Sequence, residues 1–596
     1  MNAHRTIPLV FLLAFSLFVP SDISAQQTET EKKFNIPETD EGLPGAGPIR
    51  RYDWFQKLWQ SRRSTWAKAV EKDQKALVFL GDSITQGWGD NMGDSFPGAK
   101  VANRGISGDT TRGMLIRLQE DVLSLNPSGV VILMGTNDLE EGAKPATIAA
   151  NAKLIIDELK KHNDKMPIIL CRVFPSSTSK KRSAKDIKEV NKLYAKAVYG
   201  DPQITVLDTW TLFANKAGDA KEAEFPDLLH PNKLGYTKWA KALQPILATA
   251  GFVENTPDNF VVEEGFASLF NGTDLTGWVQ LPTTARQKRQ AANWKRNDPN
   301  APPWPIIEKR TELDGKTSPD GRYTAINGRL VVTTPAQGRR IQQLWTVKEF
   351  SDDFVLKLEF RATPNADSGI FIRGKQLQCR DFLLAGPYNK LKRYRAQGWN
   401  EMVIKVKGQE AYCTCNGELL DAKFKIPASG PIGLEGDRGQ VEYRRIRIGK
   451  DDGNLLGTTN RTAAWRIETH DAGKASMAID GDSIVLKATA TTDTDWHVQA
   501  YQMNLTLRDD TEYKVTFQAK SPESVTAVLL GMTHMPDNYK SIGMSEEFQL
   551  QPDYMDYEFT FTATNVAENN RLGFVIGREV GTVQVRNFKL VEAGTP

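Results

Sequence analysis

ALVFLGDSITQG, residues 76–87, decides how the N-terminal part of this chain folds. Ala76–Leu80 is an unbroken apolar run of strand length, which suits a strand covered on both faces, as in a parallel sheet. The run ends in Gly81-Asp82-Ser83-Ile84-Thr85, so a serine stands at the carboxyl end of a strand, where open parallel sheets hold their sites. Further outward, Gly129–Met134, Pro167–Val173 and Ile204–Leu207 repeat the apolar pattern. Helical periodicity marks Thr111–Leu123, Pro145–Lys161, Ala184–Val198 and Lys233–Thr249. Strands alternating with helices predict an α/β domain with helices on both faces of a parallel sheet.

Three more polar blocks follow the first in order: Asn103-Arg104-Gly105-Ile106-Ser107-Gly108-Asp109, Gly135-Thr136-Asn137-Asp138 and Asp227-Leu228-Leu229-His230-Pro231. Together they supply the parts of an acyl-transfer site. A serine hydroxyl needs a positioned base to become a nucleophile. His230 is the candidate base, and Asp227, three residues earlier, can fix its tautomer and stabilise it when charged. The oxyanion of a tetrahedral intermediate needs donors where its charge develops, here the backbone N–H of Ser83, the backbone N–H of Gly108 and the amide of Asn137.

With these blocks, the stretch from about Ile49 to Thr249 resembles the SGNH (GDSL-type) hydrolases, which implies a three-layer flavodoxin-like fold. Ser83 matches the serine of that family's first block, Asn137 the asparagine of its third, and Asp227 and His230 its DxxH block. In NRGISGDTT, resemblance to the platelet-activating-factor acetylhydrolase branch aligns Gly108, rather than Gly105, with the oxyanion glycine. The family implies ester hydrolysis through an acyl-enzyme, with no metal and no cofactor, and leaves the substrate open among acetylated sugars, lysophospholipids and thioesters.

At the start of the chain, Arg5 precedes the apolar run Ile7–Val19, and Ser24-Ala25 offers a small-residue cleavage site before Gln26. This is the layout of a signal peptide over 1–25, with a retained anchor as the alternative, and it predicts a secreted or periplasmic protein. Residues 26–48, polar and punctuated by Gly and Pro, read as a flexible leader. Trp54, Phe55, Leu58, Trp59 and Trp66 then recur at near-helical spacing, which predicts core packing rather than ligand stacking.

At 596 residues the chain is too long for one core. With 76 basic and 73 acidic side chains, net charge +3, it offers no electrostatic case for nucleic acid or an anionic membrane. Four cysteines are too few for a disulfide scaffold. Cys413 and Cys415 point to one face of a probable strand at ~6.6 Å, a poor fit for a mutual bridge. Cys379 could pair with either, and the plainer reading is three buried thiols. No CxxC or HExxH pattern supports a metal site.

After Pro257, Phe266–Trp278, Asp367–Arg373 and Gly430–Leu434 resemble blocks of a family named for 3-keto-disaccharide hydrolysis, which implies a concanavalin-like jelly roll over about 263–450. Alternating runs at Phe354–Phe360, Met402–Lys407 and Val441–Ile448, with the Asn416-Gly417 turn, independently read as an antiparallel sandwich. Glu359, Arg373 and Glu435 are candidates to line a sugar cleft there, or to form a solvated salt-bridge face. Over about 461–593, Asp495–Gln502, Tyr513–Lys520, Tyr557–Thr562, Arg571–Gly577 and Gly581–Val585 resemble the sandwich of family 4/9 carbohydrate-binding modules. In it Trp496 would stack on a sugar beside Gln499 and Gln502, or would plug the core.

The expected architecture is therefore multidomain: an α/β hydrolase domain at 49–250 followed by two antiparallel β-sandwich domains. The expected activity is a serine esterase removing acyl groups, most simply acetyl, from a polysaccharide held by the sandwiches. A lysophospholipase-like lipid esterase, or a ketosugar-cleaving enzyme centred on the middle domain, are the alternatives. The oligomeric state is not legible.

Overall fold

The computed structural model describes residues 34–299, 306–333, 343–492, 494–535 and 538–593. The signal peptide expected at 1–25 lies outside these. The chain divides into two compact units, Met1–Gly93 with Lys100–Met166, and Asp94–Ala99 with Pro167–Pro596.

The first unit is built on three parallel strands, β1 (Leu77–Gly81), β2 (Val101–Gly105) and β3 (Gly129–Leu133), with β1 in the centre. β1 and β3 are buried at every position, as their unbroken apolar runs predict. β2 was not anticipated, because Asn103 and Arg104 interrupt its apolar pattern. Both are nevertheless buried and bonded. Arg104 pairs with Asp73 at 2.7 Å, donates to the carbonyl of Asp121 and lies over the Trp66 ring.

Helix α1 (Asp53–Lys68) turns Phe55, Trp59 and Trp66 inward, where they pack with Ile36 and Ile106. Each such ring, fully buried, contributes about 1.5–3 kcal/mol. Trp54 departs from the expectation of core packing and is 51% exposed, because it faces away from the Phe55–Trp59 side. Of the flexible leader expected at 26–48, residues 26–33 lie outside the described residues, and 34–48 are bonded to the rest of the first unit. Asn151 donates to the carbonyl of Ala46 and accepts from its N–H, while Asp40 pairs with Arg51 and Arg112. Polar, Gly- and Pro-rich composition marked an irregular strap, not a loose one. Helix α2 (Ser83–Gly87) follows β1, and α3 (Thr111–Ile116) follows β2; α4 (Thr136–Glu140) and α5 (Pro145–His162) follow β3. The long helix expected at Thr111–Leu123 breaks at Arg117, whose guanidinium turns inward to the carbonyls of Arg104 and Gly81.

The second unit opens with two more parallel strands, β4 (Ile168–Cys171) and β5 (Ile204–Leu207), with helices α6 (Ala184–Ala197) and α7 (Lys233–Thr249). Phe174 packs at 5.0 Å from both Phe213 and Trp239, and Phe213 at 5.0 Å from Phe225, forming the aromatic floor beneath the loop after Phe225.

From Phe266 onward every pairing is antiparallel. Two sheets enclose the middle core. One carries Phe354–Ala362 between Asn400–Lys407 and Val441–Gly449; the other carries Gly430–Arg438 between Asp367–Ile372 and Leu344–Phe350. Asn416 and Gly417 both take positive φ, 51° and 75°, in the two-residue turn their sequence signalled. Cys379, Cys413 and Cys415 are free thiols buried in this core, and burial pushes the Cys413 thiol up to about 12. The last sandwich stacks a sheet centred on Asn570–Val575 against one centred on Gly581–Glu592. Among the described residues no helix is long and apolar enough to cross a membrane.

Buried ion pairs join these parts of the second unit. Glu442 pairs with Arg329 and Arg361, which also hold Glu254 just after α7. Gln440 reaches back to Pro245 and Thr249 on α7 itself. Arg461, at the start of the last sandwich, pairs with Glu359 and Glu401 of the middle one.

Candidate active site

The first unit assembles Ser83, Gly108 and Asn137. Ser83 opens α2, whose N-cap is Asp82; its Oδ1 accepts from the N–H of Ile84 at 2.9 Å. The first turn of a helix presents backbone N–H groups without helical partners, a suitable surround for developing negative charge. Gly105 lets the second block close on this turn, since a Cβ there would stand 2.3 Å from the backbone nitrogen of Gln86. Gln86 in turn accepts from the N–H of Ser107 at 2.7 Å. Asn103 donates to the carbonyls of Thr85 and Gly89.

Gly108 takes φ +88°, a conformation that favours glycine, and a Cβ there would also strike the Trp54 ring at 2.7 Å. Asn137, on α4 and 3% exposed, donates to the carbonyl of Asp109 at 2.9 Å. The second and third blocks are thus pinned together at the carbonyl next to Gly108.

Two acids that sequence reasoning passed over hold this arrangement. Asp109 is fully buried against Arg117 at 2.8 Å; burial nevertheless pushes its carboxyl up to about 7. Asp138 is also buried and pushed up to about 6, against the opposing hydrogen bonds from the Thr111 hydroxyl at 2.5 Å and its N–H. The signal available was their place in the blocks, Gly108-Asp109 and Asn137-Asp138.

The second unit holds Asp227 and His230. Asp227 Oδ2 meets His230 Nδ1 at 2.7 Å, and Oδ1 accepts from the backbone N–H of His230 at 2.7 Å and of Leu229 at 3.0 Å. Burial works against ionisation of Asp227, but these bonds outweigh it and hold the carboxyl at about 2. Leu228 adopts φ +61°, and its carbonyl is fixed by the Ser176 hydroxyl at 2.8 Å. A non-glycine residue held this way inside the loop is strain of the kind that clusters at functional sites. With Nδ1 engaged by the carboxylate, any proton this ring exchanges with a substrate would pass through Nε2.

The candidate glycan residues separate sharply. Glu359 and Arg373 do not line a cleft. Glu359 is 1% exposed and paired with Arg444, Arg445 and Arg461, which hold its carboxyl far below the usual range despite burial. Arg373 is buried and donates to the carbonyls of Ser351, Asp352, Gly408 and Pro427. Their strand alternation was legible, but not that chain from other segments covers that face. Glu435 is only half-buried, accepting from the amides of Gln343 and Gln376 at 2.8 and 2.6 Å. On the same sheet Trp345 lies across Gly433, 5.0 Å from Phe371.

In the last sandwich Trp496 is 47% exposed and in edge contact with His470 and His497, so it does not plug the core. The core tryptophan is Trp465, 1% exposed and stacked on Phe588 at 5.5 Å. Gln502 is buried and spent on both backbone groups of Gly457, and Gln499 is buried too. Tyr501, also buried, stands opposite Gly573, its hydroxyl on Glu468 at 2.7 Å, with Arg571 4.5 Å above its ring. Arg571 also lies over the exposed Tyr539, and His534 sits between the two tyrosines. Tyr501 lay within a quoted block; nothing in the pattern joined it to Tyr539.

Three family profiles match the chain in order: the GDSL-like Lipase/Acylhydrolase family over residues 79–238, a 3-keto-alpha-glucoside-1,2-lyase-like domain over 265–449, and a carbohydrate binding domain over 454–581. Platelet-activating factor acetylhydrolase IB subunit alpha1 of Rattus norvegicus is 27% identical over 192 residues, 32% of this chain and 82% of its own. A GDSL-like lipase from Bacteroides thetaiotaomicron is 27% identical, covering 33% of this chain and 97% of its own, with a TM-score of 0.28. A CBM4 structure is 16% identical over 24% of this chain and 98% of its own, with a TM-score of 0.21. The chain therefore carries a GDSL-like acylhydrolase domain, then a glycoside-hydrolase-like domain and a carbohydrate-binding domain.

Proposed function

We propose that this three-domain acylhydrolase is an exported carbohydrate esterase that removes acyl groups, most simply acetyl, from a polysaccharide. Ser83 Oγ attacks the ester carbonyl while His230 accepts its proton, and Asp227 stabilises the imidazolium. The carbonyl oxygen becomes an oxyanion held by the N–H groups of Ser83 and Gly108 and the amide of Asn137. Collapse releases the sugar hydroxyl, which takes the proton from His230, and leaves the acyl group on Ser83. Water, deprotonated by His230, then attacks the acyl-enzyme; collapse returns that proton to Ser83 Oγ and releases the carboxylic acid, which ionises in water.

The observation that carries the reading is the Asp227–His230 pair, with Nδ1 2.7 Å from the carboxylate in a loop strained at Leu228. The bond fixes the ring's tautomer and orientation, as a general base in an acyl-transfer site requires. The carbohydrate-binding domain supports a glycan substrate and a site of action outside the cell. The exposed rings of Trp496 and Tyr539 offer stacking to a sugar chain, and the half-buried Glu435 with Trp345 offers a second contact face. The relatives' name, platelet-activating factor acetylhydrolase, supports acetyl transfer from a lipid as the second reading. The test is the purified chain against acetylated xylan and against a lysophospholipid and its acetylated form, with a serine-directed phosphonate as probe. Labelling at Ser83 with acetate release from xylan supports the proposal. Turnover of lipid alone transfers it to the second reading.

A further inference from the structure

Two aromatic rings in the first unit remain at the surface beside the oxyanion donors. Tyr52 and Trp54 are 53% and 51% exposed, with centroids 6.4 Å apart and planes within 11° of parallel. Exposed apolar rings are unremarkable when scattered, but this pair is adjacent, parallel and held in place. Trp54 packs edge-on against Phe55 at 5.7 Å, and Phe55 is buried against Trp59. Tyr52 donates to Glu141 at 3.4 Å, and Glu141 also binds Arg50 at 2.6 Å. Arg50 is buried and engages Glu140 as well, so α4, which carries Asn137, is tied to the segment carrying both rings.

Trp54 reaches the site itself. A Cβ on Gly108 would lie 2.7 Å from Cη2 of its ring, so the indole rests against the residue whose N–H is assigned to the oxyanion.

We propose that Tyr52 and Trp54 form the sugar subsite of the esterase, on which the pyranose ring bearing the ester stacks so that its acyl carbonyl meets the Gly108 N–H. The inference rests on the reading of Ser83, Gly108 and Asn137 as an esterase site, and adds what selects the alcohol half of the substrate. A flat aromatic face suits the apolar C–H face of a sugar ring, and its hydroxyls stay in water.

The experiment compares the full-length wild type with Trp54→Ala, Trp54→Phe, Tyr52→Ala and Ser83→Ala on an acetylated xylo-oligosaccharide, p-nitrophenyl acetate and an acetylated lysophospholipid. For Trp54→Ala the ratio of kcat/KM on the oligosaccharide to that on p-nitrophenyl acetate falls by about tenfold, mainly through KM. Trp54→Phe restores most of the ratio, because a ring remains, and Tyr52→Ala lowers it less. If Trp54→Ala lowers both substrates equally, the ring is structural and the proposal falls. A selective loss on the lipid, with the oligosaccharide ratio unmoved, overturns the sugar class. Undiminished hydrolysis by Ser83→Ala removes the esterase reading and this subsite with it, whereas an inactive Ser83→Ala with an unmoved ratio removes the subsite alone.

Discussion

The amide of Asn137 donates to the backbone carbonyl of Asp109 at 2.9 Å, so the residue after Gly108 is fixed by the side chain proposed to share the oxyanion with it. Asn137→Ala removes both a donor and the tie. The expected result is a fall in kcat of about a hundredfold or more with a smaller change in KM, because an oxyanion donor acts mainly in the transition state. Steady-state kinetics on p-nitrophenyl acetate check this; a change confined to KM contradicts it.

Asp138 gives a pH signature. Its carboxyl is raised from 3.8 to about 6 by burial. Below about pH 4 the folded and unfolded states both hold the proton, and the group contributes no pH dependence. Between there and about pH 6 the unfolded state loses a proton that the folded state keeps, so stability falls as pH rises. Asp138→Asn abolishes that slope. Urea unfolding of both proteins from pH 4 to 8 should show the variant gaining relative to wild type by on the order of 2–3 kcal/mol. A difference independent of pH contradicts the assignment. Asp227, held at about 2, behaves oppositely: its contribution is present above its unfolded value and lost as pH falls toward 2.

Glu359 tests the correction made to the middle domain. Glu359→Gln leaves Arg444, Arg445 and Arg461 facing a neutral amide in a buried site, and should destabilise the protein by roughly 3–5 kcal/mol. Glycan retention measured on the folded variant should hold. Retention lost with stability intact would restore Glu359 to a sugar cleft.

Two tryptophans of the last sandwich should answer differently. Trp465→Ala empties a core position and should cost roughly 3–5 kcal/mol, while Trp496→Ala, half exposed, should leave the thermal midpoint in place. Trp496→Ala and Tyr539→Ala, at exposed rings, should each weaken retention on insoluble glycan. Retention by both variants equal to that of wild type would remove these rings from glycan binding.

Legibility followed the physics of each signal. β1 and β3 were read to within a residue because strands buried on both faces leave continuous apolar runs. β2 was missed because Asn103 and Arg104 are buried for their hydrogen bonds, and periodicity counts any polar residue as facing water. Near-helical spacing found α1 but could not tell Trp54 from Phe55, which are neighbours in sequence and differ only in which side of the helix meets the core. The four blocks named the candidate site residues; Asp109 and Asp138 stand inside them, but that these acids are buried and brace the blocks, Asp109 together with Arg117, shows only in the fold. Glu359 and Arg373 misled because a charge on an alternating strand reads as solvated until chain from elsewhere covers it.

The central claim, that Ser83 is the nucleophile of an esterase acting on glycan, is tested most directly by acetate release from acetylated xylan by full-length Ser83→Ala beside wild type. The account predicts release lowered by roughly a thousandfold or more, with the thermal midpoint unchanged. Release by the folded variant at a rate comparable to wild type would contradict it.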